Sequence, residues 1–101
     1  MPFGDFINAI PPLGFLLIHV VLFAVGAYFA WRSFGAGAST LGWAFALFAL
    51  GEVSYMTYHL DWTTFLFAHT ISEVLVAVAF ILVFVAAGNR VLSASTSPSR
   101  A

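Results

Sequence analysis

The chain has 101 residues, of which 62% are hydrophobic and 7% charged, a balance that a water-soluble domain of this size does not keep in solution. Lysine is absent and the formal net charge is -1, which leaves no basic surface for nucleic acid or anionic lipid, so nucleic acid is not expected as a partner. With no cysteine, a disulfide framework, a thiolate metal site and a thiol nucleophile are all excluded.

These bounds predict an all-α integral membrane protein of three transmembrane helices, over about 12–34, 40–60 and 62–88, in a domain of residues 1–90 with a polar tail at 91–101. The opening segment carries Asp5 where a secretory signal would be basic, so the first helix is expected to be retained. Leu13 to Trp31 is apolar apart from His19, and about 20 such residues at 1.5 Å each cross a hydrocarbon core of roughly 30 Å. Pro11 and Pro12 suit its first turn, and Gly35 and Gly37 its exit. Ser39 or Thr40 is the expected cap of helix two, and Asp61 that of helix three. So short a turn predicts that helices two and three form a tight antiparallel hairpin. Gly88 and Asn89 should end helix three, and the small, polar remainder has nothing to bury.

Arg32 follows helix one, and Arg90 and Arg100 follow helix three. Since cytoplasmic flanks of membrane helices are enriched in Arg and Lys, this predicts an external N-terminus and a cytoplasmic C-terminus in a multi-pass protein of a bacterial inner membrane. Trp31 and Trp43 at one boundary, with Tyr58 and Trp62 at the other, read as aromatic belts.

The chemistry lies in ionisable groups inside the apolar spans. Counted from the outer helix ends at 1.5 Å per residue, His19 and His69 lie about 10 Å deep, Glu52 about 12 Å and Glu73 about 16 Å, so the four are expected in one layer. His69 and Glu73 share a helix face at a spacing of four, as do Glu52, Tyr55 and His59 at spacings of three and four. A carboxylate near the bilayer centre costs about 2.5 to 3.5 kcal/mol, so each glutamate needs a proton, a His or Tyr hydrogen bond, a metal ion or a donor on another subunit. His19, Glu52, His69 and Glu73 are therefore candidates to bind an ion or cofactor, with Tyr55 and His59 as a proton relay to the outer surface. The competing reading is a hydrogen-bonded clasp between helices.

Two His and two Glu suffice chemically for zinc, iron or manganese, but no recognised ligand motif is present and a divalent metal is the less expected occupant. A single membrane histidine can also ligate haem or a chlorophyll-type pigment, although Phe15 puts a bulky ring four residues before His19. The twelve phenylalanines offer surface to lipid, carotenoid-like ligands or neighbouring helices. Small residues that allow close helix approach are Gly26 and Ala30, Gly42 and Ala46, and Ala77 and Ala79.

No catalytic motif is found and no extramembrane segment is long enough to build a catalytic domain, so an enzyme acting alone is not expected. The leading expectation is a small accessory transmembrane subunit of a larger respiratory or photosynthetic membrane complex, bracing neighbours and contributing to a cofactor, pigment or quinone site. The alternatives are a homo-oligomeric proton or cation transporter using Glu52 and Glu73, and a metal-binding subunit of a membrane enzyme. Membrane lipids and other transmembrane subunits are the expected partners.

Overall fold

A computed structural model describes residues 3–96. A short 3-10 turn, Asp5–Ala9, precedes three helices, α1 (Pro12–Gly35), α2 (Ser39–His59) and α3 (Phe65–Thr96). Two of these carry stretches long and apolar enough to cross a membrane, Pro12–Gly35 and Phe65–Ser93. Helix α2 is more polar, with Ser39, Thr40, Glu52, Ser54, Tyr55, Thr57, Tyr58 and His59 in its 21 residues.

Helix α1 starts where proline chemistry allows it to. Pro12 occupies the first helical position, where the missing N–H leaves no bond unmade, and Pro11 before it is extended. Both interhelical turns close in the same way. At the end of α1 the Ala38 N–H donates to the Ser33 carbonyl and the Gly37 N–H to the Phe34 carbonyl, with Gly37 at φ 80°. At the end of α2 the Trp62 N–H donates to Thr57 and the Asp61 N–H to Tyr58, with Asp61 at φ 63°. These are paired Schellman closures around a left-handed residue, which glycine adopts freely and aspartate less so.

The closures correct several expectations. Asp61 ends α2 and does not cap α3, which begins at Phe65, where the first helical bond runs from the Ala68 N–H to the Thr64 carbonyl. Ser39 and Thr40 cap nothing: Ala38 is the cap residue of α2, so both hydroxyls already lie inside the helix. Gly88 and Asn89 do not end α3, which continues to Thr96. One glycine costs a helix only about 1 kcal/mol, and the next residue unable to continue it is Pro98. Residues 91–96 of the expected polar tail are thus helical, whereas 97–101, with Arg100, lie outside the described residues.

Helix α2 is the middle of the molecule. It packs antiparallel against both neighbours, and no comparable packing joins α1 to α3, so the three form an open layer and not a closed bundle. The buried hydrophobic residues are Ala30, Ala44, Ala49, Ala68 and Ala79, while most phenylalanines and many of the Leu, Ile and Val side chains are exposed. Close approach depends on this inversion. A Cβ on Gly26 would lie 2.9 Å from the Phe48 ring, one on Gly42 2.7 Å from the Phe34 ring, and one on Gly51 3.2 Å from Val76. Of the small residues singled out by spacing, Gly26, Ala30, Gly42 and Ala79 are buried, Ala46 is half-buried and Ala77 is exposed.

Candidate functional site

The ionisable residues split along the two seams that α2 makes. On the α1 seam the carboxylate Oε2 of Glu52 lies 2.5 Å from Nδ1 of His19. The side chains are 8% and 17% exposed, so the carboxylate has its partner within the chain. Which of the two atoms donates in this hydrogen bond depends on the histidine tautomer.

Around the pair stands a ladder of four rings supplied alternately by α1 and α2. Phe15 stacks on His59 with centroids 5.5 Å apart, His59 on His19 at 5.2 Å, and His19 on Tyr55 at 4.9 Å, all within 25° of parallel. The cause is register: Phe15 and His19 are one turn apart on α1, Tyr55 and His59 one turn apart on α2, and antiparallel helices interleave such pairs. The ladder was legible only in part. His59 and Tyr55 were expected along the Glu52 face, but the sequence carries no signal that Phe15 would enter between α1 and α2.

On the α3 seam Tyr55 reaches across, its hydroxyl 3.5 Å from His69 Nδ1, at the long limit of a hydrogen bond. His69 also stacks on Phe65 at 5.2 Å, and Phe65 meets Tyr58 edge-on at 5.4 Å, so rings run from α1 across α2 to α3. Ser54 Oγ donates to the Ala68 carbonyl at 2.9 Å and fastens this seam. Ser72, buried beside Gly51, has no hydrogen-bond partner for its hydroxyl.

The four residues of the expected layer fall on two different seams. His19 and Glu52 form a covered pair, while His69 and Glu73, 44% and 64% exposed, lie 4.0 Å apart on an open part of α3. Among the described residues no three His, Asp or Glu side chains gather to hold a metal ion. Among the described side chains no hydrogen bond joins Glu52 to Tyr55 or Tyr55 to His59. Glu52 bonds to His19, and both Tyr55 and His59 meet His19 through ring faces, which carry no transferable proton. Both faces of His19 are stacked against these same rings.

One turn and more below the ladder, the face of α2 left open between α1 and α3 becomes a wholly apolar groove of about 320 Å³. Its floor includes Ala44 and Phe48, and its walls include Gly26, Phe29, Ala79 and Phe80. Sequence reading missed it, because it exists only where two helices that hardly pack on each other flank a third.

Compared with protein-family models, curated proteins and solved structures, the chain finds no match.

Proposed function

We propose that the chain is a small multi-pass membrane subunit, with all three helices crossing the bilayer, which braces a larger membrane assembly through the Glu73 face of α3. The membrane reading is supported by where the apolar surface lies. Only 11% of each apolar window in α1 and α3 is buried within the chain, whereas a core helix of a soluble protein is mostly covered.

The observation that carries the assembly reading is the exposure of Glu73. It sits in the apolar run of α3 beside exposed Val74, and the ionisable partner it has among the described residues is His69 at 4.0 Å. Glu52 solves its burial inside the chain; Glu73 does not. A carboxylate on a lipid-facing surface at that depth costs about 2.5 to 3.5 kcal/mol, and a donor on a neighbouring transmembrane helix removes that cost. The same exposure suits a homo-oligomer in which copies present Glu73 to one another, the arrangement a proton or cation pathway would use.

Extraction in mild detergent, with a photo-crosslinking residue in place of Val74, tests the reading. A crosslink to a different membrane polypeptide, lost in Glu73→Gln, is the expected result. Crosslinks between copies of this chain would replace the accessory role by the homo-oligomeric one, and liposome flux would then be measured. Crosslinks to lipid alone would overturn both.

A further inference from the structure

We propose that the α1–α2 seam is an acid-released latch: one carboxylate, Glu52, stands against two stacked imidazoles, His19 and His59, and charging both rings parts the two helices at the end away from Arg32. The inference goes beyond the proposed function and depends on neither its membrane reading nor its assembly reading.

The latch is part of the ring ladder. Glu52 holds His19 at 2.5 Å, and the His19 ring lies against that of His59 with centroids 5.2 Å apart. Glu52 and His19 are largely covered, whereas His59 is half-buried in the last turn of α2, so His59 is the member of the cluster that bulk protons reach. Imidazole changes charge between about pH 5 and 8. With one ring charged, Glu52 balances it. With both charged, like charges face each other at stacking distance and one of them has no counter-charge in the seam. The surroundings supply no second anion there. From α1, Phe15 stacks on His59; from α2, Tyr55 stacks on His19 and Tyr58 meets His59 edge-on at 5.0 Å, and a phenol stays uncharged up to about pH 10. Helix α3 reaches the cluster through these tyrosines, where Phe65 meets Tyr58 and His69 meets Tyr55. Asp61, two residues beyond His59, makes no ion pair with it among the described residues.

Release is confined to one end because the two halves of the seam are held by different contacts. Toward Arg32 the helices close on small residues and rings, Gly26 against Phe48 and Ala49, and Gly42 against Phe34, and the turn at Gly37 ties them covalently. None of those groups titrates. At the ladder end no turn joins α1 to α2, since the chain enters α1 from the Asp5–Ala9 turn and leaves α2 toward α3. Acid therefore opens the seam like a hinge about the Gly37 turn, and the opening uncovers Glu52, which is 8% exposed while the latch is closed.

The experiment uses the full chain in mild detergent, where the absence of native cysteine allows paired spin labels. Leu13→Cys with Leu60→Cys, both at exposed positions, reports the ladder end, and Trp31→Cys with Trp43→Cys, also exposed, reports the other end. The expected result is a longer distance in the first pair as pH falls from about 8 to about 5, with the second pair unchanged. His59→Phe keeps a ring in the ladder and removes its proton site, so the lengthening should be lost; His59→Gln should lose it too. Glu52→Gln removes the one counter-charge, so a single charged ring then suffices and the lengthening should move to higher pH. His69→Phe, on the α3 seam, should keep the response of the parent. A first pair that ignores pH, a response that survives in both His59 variants or disappears in His69→Phe, or a Glu52→Gln response at the same or lower pH would overturn the proposal. Lengthening of both pairs together would overturn it as well, because that is acid unfolding and not the release of one end.

Discussion

The contact of His19 with Glu52 decides how a carboxylate can sit under an apolar surface at all. Removing either partner leaves a buried polar group unmatched, while removing both leaves the ring stack if His19 becomes phenylalanine. A double-mutant cycle over His19→Phe and Glu52→Leu, read from reversible unfolding in micelles, should therefore give a coupling energy of about 2 kcal/mol. A value near zero would mean that the contact adds nothing to stability. Asp61 is a second residue whose role is local. It holds a left-handed conformation at φ 63° where glycine would be unstrained, so Asp61→Gly should stabilise the protein by about 1 kcal/mol. A loss of stability in that variant would show that the Asp61 carboxylate has work beyond closing α2.

At the scale of elements, α2 is joined to its neighbours by different means. The α1 seam is closed by interleaved rings and the His19–Glu52 pair, the α3 seam by small residues and the Ser54 hydroxyl. At Gly51 α2 and α3 approach closely, since an added Cβ there would meet Val76 at 3.2 Å and the Ser72 hydroxyl at 3.4 Å. Gly51→Leu should lower the thermal midpoint by an amount equivalent to about 1 to 3 kcal/mol, as overpacking does. Gly88→Ala, with open space around it, should leave the midpoint unchanged or raise it. Equal effects of the two substitutions would mean that helix propensity, and not close packing, governs this seam.

At the scale of the whole molecule, the two turns lie at opposite ends of α2, and Asn89 and Arg90 line the same surface hollow as the α1–α2 turn. If all three helices cross the bilayer with that end cytoplasmic, Thr64 is external and Ala36 internal. The chain has no native cysteine, so single replacements report cleanly. Thr64→Cys should react with an impermeant maleimide in intact cells, and Ala36→Cys only after permeabilisation. Labelling of both from one side would exclude a crossing α2, and the reverse pattern would invert the orientation.

Composition determined that the chain is apolar, and the length of the apolar run with its flanking proline and glycine positions placed α1 closely, because backbone geometry and hydrophobic length are local properties. Helix ends were less legible where one residue has two uses: Asp61 reads as a cap for α3 but serves the left-handed closure of α2, and Gly88 reads as a stop in a stretch where nothing else opposes the helix. Spacing put Glu52, Tyr55 and His59 on one face and His69 with Glu73 on another, since a face is fixed by 3.6 residues per turn. What spacing does not contain is which faces meet. Only the tertiary structure decided that His19 would pair with Glu52, that Phe15 would join the ladder, and that Glu73 would stay uncovered. The physical reason is that α2 stands between α1 and α3: an open layer gives each carboxylate a different neighbour, whereas a closed bundle of the same helices would have brought all four groups together.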